Sequence, residues 1–394
     1  MHGILNRFYS LLALLAACFA TLKTSVALGA SQPRWVISGN ENKIDLTSGA
    51  AKVVPNPAPD SLTLLDFASF PPKVQHLPQI SNSVLGPPSN IAITPDGSLA
   101  LVADSIRIDP NDRSKWVPES YVHVLDLRAR PPRLIGRVST GPQPSGMSIT
   151  ADGRVALVAN RADSSISVLS IQGSSVSLVQ TVPVCDPTNS LSDVAIAPNG
   201  LVLASAQKGG HLQVLRLQGT QLTITPQRVS VYGQPYRTVI TPDGSLGLTA
   251  GQGYGNGLDA DALSIIDLTT SPIRTVDYVP LGAVPESFEL SPNGKLLAAV
   301  VMNGSNLLTS DPNYHPQGSL VLLARRGKTF VRVDEKPIGR IPEGVAFSPQ
   351  GKHLVVQCHP DRKLWIWGLS GDRLKDTGMR IDVPGMPSSL RTGP

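Results

Sequence analysis

Thr94-Pro95-Asp96-Gly97, Thr150-Ala151-Asp152-Gly153, Ala197-Pro198-Asn199-Gly200, Thr241-Pro242-Asp243-Gly244, Ser291-Pro292-Asn293-Gly294 and Ser348-Pro349-Gln350-Gly351 are six versions of one four-residue turn. Pro presets φ, Asp or Asn tolerates the left-handed region and bonds its own backbone, and Gly accepts positive φ, so each quartet reads as a tight hairpin turn. The turns recur at spacings of roughly 45 to 57 residues, the repeat length of propeller blades.

The residues around each turn repeat as well. A short strand opened by Pro or a polar residue precedes it, as in Pro88-Ser89-Asn90-Ile91-Ala92-Ile93, and a second strand follows, as in Val155 to Ala159. A third strand then alternates apolar and polar residues: Tyr121 to Leu127, Ser165 to Ile171, His211 to Leu217, Ala262 to Leu268, Ser319 to Leu323 and Lys363 to Leu369. A seventh unit is split between the chain ends. Trp35 to Asn40 reads as its second strand, Ser61 to Phe67 as its third and Val74 to Ile80 as its fourth, while Pro387 to Thr392 supplies the first. Such closure leaves no open inner edge. The expectation is an all-β chain: one seven-bladed β-propeller of four-stranded blades over residues 31–394, with the N-terminal and C-terminal strands sharing one blade.

Leu157-Val158-Ala159-Asn160 and the Pro-Asp-Gly hairpins resemble the second strands and turns of the YVTN-type seven-bladed propellers. The resemblance runs over roughly Trp35 to Thr392. It implies kinship with lactonase and muconate-cyclase-like propellers, surface-layer propellers and cofactor-binding periplasmic domains, a group in which fold does not fix function.

Residues 1–30 read as an export signal: Arg7 precedes an apolar run from Phe8 to Ala17 that is too short to span a bilayer. Ser25-Val26-Ala27 and Ala27-Leu28-Gly29 both fit a cleavage site, and Leu15-Ala16-Ala17-Cys18 resembles a lipobox that would make Cys18 the acylated N-terminus. The expected location is the periplasm or cell envelope, with membrane attachment only through such a lipid. Cys185 and Cys358 fall in blades well apart and lack the spacing of a zinc site, so neither a disulfide nor structural zinc is expected. The net charge of +5 carries no nucleic-acid motif.

Propeller topology gathers the loops opposite the Pro-Asp-Gly turns, and three of them are long: Asp104 to Ser120, Gly251 to Asp261 and Asn303 to Gly318. Binding residues are expected at that end. Gly251 to Gly257 is Gly-rich but opens no helix, Asp259 and Asp261 lack the other oxygens of a Ca²⁺ loop, and His315 stands alone. No metal or cofactor is expected.

Alignment of the blade openings is more informative. It brings Ser89, Ser145, Ser192, Tyr236, Glu286, Glu343 and Ser388 to equivalent positions, followed by Asn90, Gly146, Asp193, Arg237, Ser287, Gly344 and Ser389. These are expected to ring the channel mouth, with Asn90, Asp193, Tyr236, Arg237, Glu286 and Glu343 as binding residues. Glu289 lies deeper, where the other blades carry mostly small residues, and a carboxylate there needs a partner.

Two functions compete for this ring. The first is binding of a small molecule, cofactor or envelope partner by a monomeric propeller. The second, implied by the resemblance, is a lactonase-like hydrolase acting on a lactone or sugar-acid substrate. There Arg237 would stabilise the oxyanion, and Glu286, Glu289 or Glu343 would act as base. A surface-layer role is the third reading. Lactonase-type propellers usually carry Arg and His together at the mouth, whereas Thr238 follows Arg237 here and no aligned opening contains His.

Overall fold

The computed structural model describes residues 34–253 and 259–393, so the expected signal and Cys18 lie outside the described residues. Seven four-stranded antiparallel sheets follow one another around a ring. The first blade holds Ile91–Ile93, Leu99–Ile108, Trp116–Asp126 and Arg133–Ser139, and the next five repeat that order along the chain. The seventh joins Met386–Thr392 to Trp35–Glu41, Ser61–Asp66 and Lys73–Pro78, with Val36 opposite Thr392 and Gly39 opposite Ser389. The ring therefore closes by pairing its two ends, as the split repeat predicts.

The turns form for the reasons their residues give. In the first, Gly97 N–H donates to the Thr94 carbonyl at 2.8 Å, Thr94 Oγ1 donates to Asp96 Oδ1 at 2.7 Å, and Gly97 has φ of 65°. Thr241, Asp243 and Gly244 repeat the arrangement. Between blades the sheets pack through fully buried aliphatic and aromatic side chains. Leu248, Leu297, Val321 and Phe288 join the fourth and fifth blades, and Val36, Leu65, Val355 and Leu364 join the sixth and seventh. Each such side chain removed from water contributes about 1.5–3 kcal/mol.

Two features at the loop end differ from the sequence reading. Asp104 to Ser120 is largely not an irregular loop: the second and third strands run on, pairing Ile106 with Pro118 and Ile108 with Trp116. More important for the site, the segment between Trp35–Glu41 and Ser61–Asp66 forms a strap with its own small hairpin, Ile44–Asp45 against Lys52–Val53. Its base is pinned where the Lys43 ammonium meets the Asp60 carboxylate, both buried. Asn42 N–H also donates to Asp60 Oδ1 at 2.9 Å. Ile44 packs with Val84 and Ile106 of the first blade's side. Leu46 reaches Val284, Met302 and Ile341 of the fifth and sixth blades. Arg340 Nη2 donates to the Thr47 carbonyl at 3.0 Å, and Arg113 Nε to the Pro55 carbonyl at 2.8 Å. The strap thus bridges blades that are not neighbours. Among the described residues no helix is long and apolar enough to cross a membrane.

Candidate functional site beneath the strap

The blade openings are built by a repeated backbone device. Gln143, Ser190, Val284 and Ile341, just before the innermost strands, have φ of 57°, 51°, 59° and 48°. Their carbonyls accept the N–H groups of Arg161, Gln207, Met302 and His359, the residues that follow the second strands of the same blades. Left-handed backbone is costly for β-branched Val284 and Ile341, and such strain persists where the surroundings over-determine it. Here it turns both strand ends toward the channel mouth. All four left-handed residues line one cavity there of about 470 Å³.

The cavity's polar wall is continuous. Arg161 Nη2 donates to Gln207 Oε1 at 2.9 Å, and its guanidinium stands 5.8 Å from the centre of the Tyr236 ring. Gln252 Nε2 donates to Glu286 Oε2 at 3.1 Å. Glu343 completes the wall, and both carboxylates are buried. Arg161 Nη1 and Glu343 Oε1 are sealed from solvent without a partner. Such groups cost free energy unless something fills the space beside them.

Burial sets the protonation of this wall. Desolvation pushes Glu286 up to about 7, against Arg161, Gln252 and Tyr236, which favour its charge. Desolvation raises Glu343 well above the usual carboxylate range, and the nearby Glu286 and Glu41 charges raise it further. Both carboxyls are thus held in their protonated form to higher pH than an exposed glutamate, chiefly by burial. Burial lowers the Arg161 pKa while Tyr236 and Glu286 oppose that shift.

The expected ring of fourteen positions separates into two levels. Tyr236, Glu286 and Glu343 line the cavity; Asp193, Arg237 and Asn90 do not. Arg237 is 4% exposed and wholly engaged, donating from Nη1 to Asp193 Oδ2 at 3.0 Å and from Nη2 to Glu289 Oε2 at 2.7 Å. Asp193 also accepts Thr238 N–H at 2.8 Å, and Arg391 Nη1 donates to Glu289 Oε2 at 2.6 Å. The expected convergence of Asp193 and Arg237 with Glu286 and Glu343 is thus corrected: adjacent strand residues point to opposite sides, and this pair is committed to an ion cluster. Two cations and two anions from four blades brace the channel wall. Burial opposes the Arg237 charge, but Glu289 and Asp193 outweigh it and raise its pKa. Burial would also raise Glu289, yet Arg391 and Arg237 lower it, so it is the partnered carboxylate its depth requires. Asn90 is buried and donates to the Ser83 carbonyl at 2.8 Å.

Arg161 escaped the sequence reading because it lies one residue past Leu157-Val158-Ala159-Asn160, outside the aligned openings. Alignment of the second-strand ends would have found it, together with Gln207 and Met302. Of the other singled-out residues, Asp261 serves the backbone, accepting Gly253 and Val284 N–H groups. His315 bonds the Gln317 carbonyl within its own loop. Cys185 and Cys358 are both free thiols. No group of described side chains is arranged to hold a metal ion. Residues 254–258 of the Gly-rich loop lie outside the described residues.

A family model, the seven-bladed β-propeller lactonases, matches residues 125–239. That stretch contains Arg161, Gln207 and Tyr236 but ends before Glu286. The fold is the seven-bladed propeller that this family model describes. A periplasmic gluconolactonase of Pseudomonas aeruginosa superposes with a TM-score of 0.65 at 17% identity, over 91% of this chain and 99% of the other. A Bacteroides fragilis protein provisionally assigned as a 6-phosphogluconolactonase gives 0.65 at 16%, over 92% and 99%. Hydrazine synthase of Kuenenia stuttgartiensis gives 0.60 at 19%, over 79% and 90%. At these identities the likeness concerns the fold. A search of curated proteins finds no significant match to the chain. In this seven-bladed propeller the cavity under the strap combines a guanidinium with an unpartnered N–H and two carboxyls whose pKa values burial raises. That set is suited to acyl transfer to water.

Proposed function

We propose that the protein hydrolyses a lactone or a related cyclic ester in this cavity. The observation that carries the reading is that Arg161, Glu286 and Glu343 line one cavity, with Arg161 Nη1 and Glu343 Oε1 left without hydrogen-bond partners. The carbonyl oxygen of the substrate accepts from the Arg161 guanidinium, which lines the cavity. Ionised Glu286 takes a proton from water as the water oxygen bonds to the carbonyl carbon, and Arg161 stabilises the resulting oxyanion. On collapse the ring C–O bond breaks, and the leaving alkoxide takes its proton from neutral Glu343. The product is the open hydroxy acid, and one proton passes from Glu286 to Glu343 to reset the site. Two carboxyl groups held at different pKa values by their surroundings divide the acid and base roles.

The family match and the gluconolactonase-like fold support this reading over binding without chemistry. The rate should rise with pH through about 7 as Glu286 ionises, and fall at higher pH as Glu343 loses its proton. A pH-stat assay over a lactone panel tests it. Glu286→Gln should abolish turnover while leaving affinity for the substrate. A Glu286→Gln protein as active as wild type would remove the proposed base. An intact protein that binds lactones without opening them would leave a binding propeller.

Export belongs to the same proposal, supported by the leader pattern at residues 1–30. A mature mass beginning near Ala27 to Ala30 would indicate cleavage without lipid. Attachment lost in Cys18→Ser would indicate the acylated form.

A further inference from the structure

The same cavity also carries apolar lining: Leu46, Ala50 and Ala51 of the strap, with Val84, Leu85 and Trp116. Leu46 of the strap packs against both the Ile44, Val84 and Ile106 cluster and the Val284, Met302 and Ile341 cluster. Trp116, 36% exposed, stands at the edge beside Ala51. The lining is apolar on the strap and the adjoining segment, and mixed on the blade openings, where Val284, Met302 and Ile341 alternate with the hydrogen-bonding groups. A polyhydroxylated ring would leave hydroxyls against Leu46, Val284 and Met302 without partners, at the cost of burying unpaired polar groups.

We infer that the substrate is an amphiphilic lactone, with its carbonyl on the Arg161 wall and an alkyl or aryl substituent under the strap. This rests on the hydrolase reading for the reaction, while the mixed polar and apolar lining of the cavity carries the ligand class. Each methylene placed against the apolar lining tightens binding by up to about fourfold.

A homologous series separates the two claims. The full-length protein is given δ-lactones with methyl, propyl and pentyl side chains, glucono-δ-lactone and 6-phosphogluconolactone. The corresponding alkyl δ-lactams, which keep the carbonyl and resist hydrolysis, and gluconolactam are used for binding by calorimetry. We expect kcat/KM and lactam affinity to rise two- to fourfold per methylene and the sugar compounds to be the poorest. Ala50→Gln, on the exposed tip of the strap where it meets the cavity, should flatten the rise without lowering the melting temperature. Faster turnover of either sugar lactone than of the pentyl compound overturns the amphiphile and leaves the hydrolase. A rising lactam series with no lactone turned over keeps the amphiphile and overturns the hydrolase. Absence of both binding and turnover overturns both.

Discussion

Glu41, Glu286 and Glu343 are three buried carboxyls at one mouth, and their protonation links the site to stability. Desolvation raises Glu41 to about 8, although Lys43 and two backbone N–H groups favour its charge. A carboxyl whose folded pKa lies above its unfolded value holds its proton better in the folded state. Its stabilisation is complete below the ordinary 4.5 and is lost as pH rises through the folded value, here about 7 for Glu286 and about 8 for Glu41. Stability should therefore decline between about pH 4.5 and 8. Glu41→Gln should raise the urea midpoint at pH 8 and leave it nearly unchanged at pH 4; an equal effect at both would show that charge is not involved. The Arg237 cluster rests instead on pairing between buried charges. Arg237→Ala leaves Asp193 and Glu289 buried with less countercharge and should cost roughly 3–5 kcal/mol, measured by chemical denaturation, with Arg237→Lys losing less. Unchanged stability would argue that the cluster is solvated. Glu286, Glu343 and Tyr236 were legible at this scale because they open blades; Arg161 was hidden because its position follows the second strand. No residue pattern distinguishes Arg237, which is paired, from Arg161, which has a free valence, since pairing is decided by partners 44 and 52 residues away.

The repeated turn is the element that the sequence announces most clearly, and it does more than reverse the chain. A Cβ on Gly294 would lie 3.0 Å from Pro242 Cδ of the preceding turn, and Gly153, Gly244 and Gly351 stand similarly against Pro95, Pro198 and Pro292. Four of the turns therefore sit Gly against the Pro of the preceding blade's turn. Gly294→Ala should destabilise by about 1–2 kcal/mol, because it combines left-handed backbone with this contact. An unchanged denaturation midpoint would show that the turn can shift. The strap is the opposite case. Its strands are two residues each, too short for a period, and it interrupts the one blade already divided between the termini. Its form depends on Lys43 reaching Asp60 and Leu46 reaching two distant blades, none of which a local pattern records.

At the scale of the molecule, seven repeats and a shared closing blade could be read in advance, because hairpin turns and alternating strands are local properties while ring closure follows from their number. Removal of residues 384–394 takes away Met386–Thr392, uncovers the edge of Trp35–Glu41 and exposes Val36. The truncated protein should aggregate or lose cooperative unfolding; a melt like that of the intact chain would mean the ring closes by other contacts. The same closed ring holds Arg161, Glu286 and Glu343, from the second, fifth and sixth blades, around one cavity. The most direct test is kcat/KM of Arg161→Gln against wild type on the best lactone, measured beside their melting temperatures. The account predicts a fall of about 10²–10³-fold, as for loss of an oxyanion donor, with the melting temperature nearly unchanged. Activity retained in Arg161→Gln would contradict it and place the chemistry elsewhere on the propeller.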